Sequence, residues 1–231
     1  MRPYYERHLP HQVPEGYPIF LTWNLKGSLP QRVVKAIKRE RQRLEQEPFR
    51  PGETDQERDL RHAKLIFARR DHHLDTTHHG PMHLRDPQAA QIVVNSFLWG
   101  ADARYALYAY VVMPNHVHVL LTPKVDLEII THGIKGYTAY RINILQNQKN
   151  RTFWQDESFD HWVRDEEEMH RIIEYIESNP VRAQLCRRPE DWPWSSAKWR
   201  QQLGWQTGEP FRPEWSSIVG QTLQCEGNDT R

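Results

Sequence analysis

The sequence predicts an α+β fold, a ferredoxin-like antiparallel sheet with helices on one face. Three observations predict it: two apolar strand patterns joined by Met113-Pro114-Asn115, helical patterns on either side of that hairpin, and further short strands at both ends of the series. With 231 residues, 38% of them hydrophobic, the chain is long enough for one sizeable domain with additions.

Residues 1–15 read as an N-terminal tail, and residues 16–199 as one domain. Residues 16–25 (GYPIFLTWNL) are aromatic and β-branched and end at Lys26-Gly27, a strand followed by a turn. Residues 28–85 read as an insertion and connector after this strand. Within it, residues 31–47 set Val33, Val34, Ile37 and Leu44 among Arg32, Lys35, Lys38, Arg39, Arg41 and Arg43, a basic amphipathic helix. PFRPGETDQER is polar and reads as a loop, and Leu65-Ile66-Phe67-Ala68 leads into the histidine-rich connector DHHLDTTHHGPMHL. Asp86-Pro87 is an N-cap with proline at the first helical position, after which Ala90, Val93, Val94, Phe97 and Leu98 recur at helical spacing. Residues 105–112 and 116–122 form the hairpin. Residues 127–146 are helical in pattern, interrupted by Gly133 and Gly136. Residues 159–164 form a short strand. Asp165 caps the next helix with Glu168 three residues on, and Pro180 ends it. Residues 200–231 read as a C-terminal extension.

Composition excludes several classes. A mean hydropathy of -0.84 and the lack of an apolar run of about 18 residues argue against a transmembrane helix. The start MRPYYERHLP has no apolar stretch of the secretory kind, so a cytoplasmic protein is expected, with no membrane partner. Cys186 and Cys225 are too few for a disulfide framework and read as free thiols. A net charge of +1 neither supports nor opposes nucleic-acid binding, because it averages local patches.

Two constellations carry chemistry. His116 and His118 are two apart on a strand, so both imidazoles project to one face while Val117 and Val119 face the other. Such a pair either chelates one divalent ion or forms a hydrogen-bonded pair of strand histidines. On the helix after Asp165, Tyr175 and Asn179 are four apart at one margin of the apolar stripe Met169, Ile172, Ile173 and Ile176. They read either as a core-edge tyrosine and a helix stop, or as a nucleophilic phenol beside a hard amide-oxygen ligand. Together the two constellations suggest phosphodiester chemistry, in which a divalent ion polarises the phosphate and the phenol attacks it.

The runs AYVVMPNHVHVLLTP, GIKGYTAYRIN, FWQDESFDHWVRDEEE, IIEYIESNPVRAQL and PEDWPWSSA resemble the REP-associated tyrosine transposases, of the single-tyrosine HUH superfamily of insertion-sequence transposases. The resemblance implies that His116 and His118 hold Mg²⁺ or Mn²⁺ and that Tyr175 forms a 5′-phosphotyrosine link, freeing a 3′-OH. Asn179 stands where related transposases place a glutamine ligand. It is one methylene shorter, which leaves direct contact or contact through water. The substrate implied is single-stranded, hairpin-forming DNA, handled by a monomer or a homodimer. The alternative is a domesticated protein that binds structured DNA without turnover.

Further residues bear on the substrate. Arg182, directly after Asn179-Pro180, is the preferred phosphate contact; Lys135, beside Gly133 and Gly136, fits a backbone-phosphate contact; and Arg32, Lys35 and Arg39 form part of a cationic face. Tyr137 and Tyr140 are rival nucleophiles by residue type alone. His161 or Asp160 can support the site from behind. His72, His73, His78, His79 and His83 fit no established metal-ligand spacing, and an exposed tryptophan of the C-terminal third would stack on unpaired bases.

Overall fold

The computed structural model describes residues 16–76, 80–156 and 158–215. Its elements are β1 (Ile19–Asn24), α1 (Gln31–Glu45), α2 (Asp55–Thr76), α3 (Pro87–Gly100), β2 (Tyr105–Val112), β3 (His116–Pro123), α4 (Leu127–Leu145), β4 (Phe159–Trp162), α5 (Glu166–Arg182) and α6 (Ser196–Leu203). The strands pair antiparallel in the order β2-β3-β1-β4, the ferredoxin-like arrangement the sequence predicts.

Strand alternation builds two cores. Ile19, Leu21 and Trp23 of β1 and Val117, Val119 and Leu121 of β3 face α3 and α4, where Val93, Phe97, Ile134 and Ile142 meet them. Phe20, Leu120 and Val111 face the other way, onto Met169, Ile173 and Ile176 of α5. The expectation of helices on one face therefore holds for α3 and α4 but is incomplete. Central β1 is buried along its whole length, and its second face needs cover of its own, which α5 and α2 supply. A register shift between Leu107 and Ala109 lets β2 serve the same scheme, since Leu107 and Tyr110, three apart, both lie in the α3/α4 core.

Three local expectations are corrected. The segment read as loop, apolar stretch and histidine-rich connector is largely one helix, α2, of 22 residues. It rests on polar and aromatic contacts: Lys64 Nζ lies 3.0 Å from Glu168 Oε1, Phe67 stacks on Phe159 at 4.2 Å, and Arg70 donates to Asn24 Oδ1. A helix whose inner face is largely polar gives no apolar stripe to read. Gly133 and Gly136 do not interrupt α4. A Cβ at Gly133 would stand in ordinary contact 3.6 Å from Arg104 Nη1, and one at Gly136 would meet nothing within 4 Å, so neither position blocks a continuous helix. Pro180 lies inside α5, which runs on to Arg182; near the helix end the missing N–H costs a single hydrogen bond, and Ala183 N still bonds Asn179 O at 2.9 Å.

The caps at Asp86 and Asp165 form as expected, accepting from Gln88 N at 2.9 Å and Glu168 N at 2.7 Å. Glu168 does not close the box on Asp165. Its carboxylate takes Arg164 N, His161 Nε2 and Lys64 Nζ instead. Trp205 and Phe211, from the expected C-terminal extension, pack into the α3/α4 core, and Phe211 N bonds Leu107 O at 2.6 Å.

Two predictions follow from this packing. A Cβ at Gly100 would stand 2.5 Å from ring atoms of buried Tyr105, whose hydroxyl donates to Phe97 O, so Gly100→Ala is expected to destabilise the fold by about 1–3 kcal/mol in urea unfolding. Glu168 is buried, which alone would raise its pKa, yet its bonds to His161, Lys64 and Arg164 N hold it at about 2. A carboxyl depressed in the folded state adds stability above its unfolded value and loses it as pH falls toward 2. Glu168→Gln should therefore cost about 1–2 kcal/mol at pH 7, with the difference from wild type shrinking steadily below pH 4.5.

Candidate metal centre and nucleophile

The register of β3 sets the first pair. His118 lies opposite Thr22 and His116 opposite Asn24 of β1, both imidazoles fully buried on the α5 side of the sheet. Each ring is fixed from behind: His118 Nδ1 meets Thr22 Oγ1 at 2.6 Å and His116 Nδ1 meets Asn115 Oδ1 at 2.6 Å. The two Nε2 atoms are left 3.1 Å apart. Burial, and then the neighbouring His118, push His116 down to about 3, so its ring is neutral at ordinary pH. Because its Nδ1–H donates to the Asn115 amide oxygen, its Nε2 carries the lone pair. When His118 likewise donates to Thr22, two buried lone pairs face each other, an arrangement that repels unless a cation lies between them.

Helix α5 brings the second pair to the same place. The Tyr175 ring stands edge-on to His118 with centroids 5.7 Å apart, and the Arg182 guanidinium lies over the Tyr175 ring at 4.6 Å. Asn179 is fully buried with Nδ2 3.2 Å from His118 Nε2, and its Oδ1 has no hydrogen-bond partner. A half-turn of the carboxamide exchanges the two atoms and presents the oxygen to the histidines. Burial, then the charge and hydrogen bond of Asp71, hold the Tyr175 phenol above its ordinary range, with Arg182 opposing.

The third contribution comes from α2 and was missed at the level of sequence. The Tyr175 hydroxyl donates to Asp71 Oδ2, while Asp71 Oδ1 makes no hydrogen bond and lies 3.3 Å from His118 Nε2. Burial would raise the Asp71 carboxyl, but His118, then His116 and the Tyr175 hydroxyl hold it below the usual carboxylate range. One turn further on, Asp75 has Oδ1 3.6 Å from His116 Nε2 and Oδ2 3.6 Å from an Arg182 nitrogen. Burial and the Asp71 charge push Asp75 up to about 8. Ligand atoms of Asp71, His116 and His118 lie within 4.8 Å of one another. Two imidazoles, a carboxylate and orphaned buried oxygens on Asp71 and Asn179 fit a divalent cation, with oxygen donors of the kind Mg²⁺ and Mn²⁺ accept. The signal available in the sequence was Asp71 and Asp75 at i, i+4 in a run that its histidines made look like a connector.

The other expected residues are placed as follows. Arg182 sits at the site, its side chain 45% exposed. Lys135 does not reach outward: its ammonium donates to Gln155 O and Asp156 O at 2.8 and 3.0 Å, and burial brings it down to about 8. Arg32, Lys35 and Arg39 are exposed on α1. Tyr137 and Tyr140 are exposed on α4, across the sheet from the histidines, so they are no rivals to Tyr175. His161 is bound to Glu168 rather than to the site. Trp154, Trp194, Trp199 and Trp205 are buried, while Trp99, 72% exposed, lies outside the C-terminal group. His78 and His79 fall outside the described residues; His83 stacks on Phe153 at 5.8 Å. Among the described residues no helix is long and apolar enough to cross a membrane.

Residues 96–179 match the family model described as transposase, IS200 like; the span includes His116, His118, Tyr175 and Asn179 and leaves out Asp71 and Asp75. Over 98 residues the chain is 26% identical to the REP-associated tyrosine transposase of Escherichia coli (strain K12), a match covering 41% of this chain and 56% of that protein. Among solved structures, one described as a REP-associated tyrosine transposase bound to a REP hairpin aligns over 90% of this chain and 89% of its own, with 18% identity and a TM-score of 0.46. The resemblance seen in the motifs is thus supported by the family model and by the curated relative.

The ring anchors give a test. Thr22→Val removes the hydrogen bond to His118 Nδ1 and keeps the side-chain shape, so Mn²⁺ affinity measured by calorimetry should fall about 10-fold while the fold is retained.

Proposed function

We propose that this protein is a metal-dependent endonuclease of the transposase kind that cleaves and rejoins single-stranded, hairpin-forming DNA through a 5′-phosphotyrosine intermediate. One observation carries the reading: a tyrosine hydroxyl, the His116/His118 pair and an arginine converge at one buried site within a single chain, with the Tyr175 and His118 rings 5.7 Å apart. The family match over residues 96–179 and the name of the E. coli relative support the transposase class.

His116, His118 and Asp71 would hold the ion, with Asn179 Oδ1 available after rotation. When bound, a divalent cation there would withdraw charge from the scissile phosphate and make its phosphorus more electrophilic. The chain's own residues do the rest. Tyr175 Oη forms a bond to phosphorus as the bond from phosphorus to the 3′ oxygen breaks, leaving a 5′-phosphotyrosine and a 3′ oxygen that takes a proton from solvent. The phenolic proton is already held by Asp71 Oδ2, which gives it a destination as attack begins. Arg182, stacked on the nucleophile's ring and half exposed, is placed to meet a phosphate oxygen. Rejoining is the reverse, a 3′-OH attacking the phosphotyrosine. Nucleophile and ligands from one chain support catalysis in cis, by a monomer or by each half of a homodimer.

A second reading, structured-DNA binding without turnover, draws on the complete burial of His116, His118 and Asn179. The two readings part in one experiment with labelled single-stranded hairpin DNA and Mn²⁺. The enzyme reading expects a covalent protein–DNA adduct that EDTA prevents and that Tyr175→Phe lowers by at least about 1,000-fold. An undiminished adduct in the variant would refute Tyr175 as nucleophile. Tight binding that EDTA leaves unchanged, with no adduct on any hairpin, supports the second reading.

A further inference from the structure

The two carboxylates of α2 lie outside the span that matches the transposase family, yet both reach its centre. They are i, i+4 on one helix, so they project from one face. Asp71 is 1% exposed and the Asp75 side chain 6% exposed, and Oδ1 of each is buried without a hydrogen bond. Two such acceptors aimed at two histidine nitrogens are costly to bury together without a cation.

The distances among His116, His118 and Asp71 fit one shared ion. In an octahedron with bonds of about 2.1 Å, adjacent ligand atoms lie about 3 Å apart and opposite ones about 4.2 Å. The separations here are 3.1 Å between the two Nε2 atoms, 3.3 Å from His118 Nε2 to Asp71 Oδ1, 3.9 Å from His116 Nε2 to Asp71 Oδ1, and 3.6 Å from His116 Nε2 to Asp75 Oδ1. The three separations among His116, His118 and Asp71 fall within that range, and Asp75 Oδ1 stands beside this group through its approach to His116.

We propose that α2 is part of the metal centre, with Asp71 Oδ1 joining His116 and His118 on one divalent ion and Asp75 Oδ1 beside His116 at its edge, so that binding the ion fastens this inserted helix over Tyr175. The inference rests on reading the site as metal-dependent. It gives Asp71 two duties, one oxygen toward the ion and the other holding the Tyr175 hydroxyl. It also makes the insertion after β1 a component of the site rather than an elaboration of the surface. The backbone is already prepared for this docking, since Asn115, which anchors His116 through Oδ1, donates through Nδ2 to Leu74 O of α2 at 3.0 Å.

The test uses the full chain and Mn²⁺ alone, without DNA. Calorimetric titration of wild type, Asp71→Asn, Asp75→Asn and His118→Ala is paired with hydrogen exchange of residues 55–76 with and without the ion. Affinity lower by about 10-fold or more in Asp71→Asn and by a smaller factor in Asp75→Asn, together with slower exchange across α2 in wild type on adding Mn²⁺, is the expected result. Wild-type affinity in Asp71→Asn removes α2 from the centre and overturns the proposal, and wild-type affinity in Asp75→Asn removes that carboxylate from its edge. If His118→Ala alone loses the ion, the metal-dependent reading survives and this one fails. If wild type binds no Mn²⁺, both fail together. Unchanged exchange of α2 in wild type refutes the fastening even where a variant fails to fold.

Discussion

Everything at the centre of this molecule depends on two imidazole nitrogens held 3.1 Å apart on the buried face of β3. Strand geometry puts both rings on one side, but it does not settle their rotation. That is done by Asn115 and Thr22, each bonding an Nδ1 and leaving Nε2 to face the other ring. A pair fixed in this way cannot relax by turning one ring out to water, because the sheet face is covered. The surroundings must therefore answer the pair, and they do so from three directions: β1 behind, α5 beside and α2 above.

The answer from α5 rests on helical period and that from α2 on charge. Tyr175 and Asn179 lie one turn apart, so the apolar contacts of Ile173 and Ile176 that seat the helix also set a phenol and a carboxamide against the histidines. Arg182, most of a further turn along, covers the Tyr175 ring and meets Asp75. The continuation of α5 through Pro180 matters here, because a helix stopping at Asn179 would not carry Arg182 back over the Tyr175 ring. The α2 side has little apolar anchorage beyond Phe67 and Leu74, and instead contributes carboxylates, the Lys64 to Glu168 bridge and the Arg70 to Asn24 bond. A helix held chiefly by polar contacts docks in a way that responds to ions more than one held by a core.

That difference explains what could be read from the sequence. The sheet, α3, the hairpin, α5 and the positions of His116, His118, Tyr175, Asn179 and Arg182 follow from patterns with a period, because each sits on an element whose other face is apolar. Asp71 and Asp75 do not, since α2 buries polar groups and lacks the stripe that marks an amphipathic helix. Lys135 shows the opposite failure. Its place on α4 was legible, but its use was set by the loop before β4, whose carbonyls claim the ammonium. Sequence pattern locates an element, whereas the partner of a long polar side chain depends on which loop arrives beside it.

On the proposed function, a DNA strand would have to reach a centre whose ligand residues are buried. Tyr175 and Arg182 are the members of the site that retain exposure, so they form its rim. Arg182 is shared there between the Tyr175 ring and Asp75, and a phosphate arriving at the rim competes with Asp75 for the guanidinium. A phosphodiester oxygen is a better partner for an arginine at the surface than a carboxylate 3.6 Å away, because it can take the bidentate geometry that the Asp75 contact lacks. Loss of Arg182 would remove the cation beside Asp75 Oδ2, so on the proposed function substrate entry and the arrangement of α2 would be linked through this one side chain. Arg182 at the rim and Asp75 on the helix that covers the centre thus belong to one set of charges, in which a change at one end alters the field at the other.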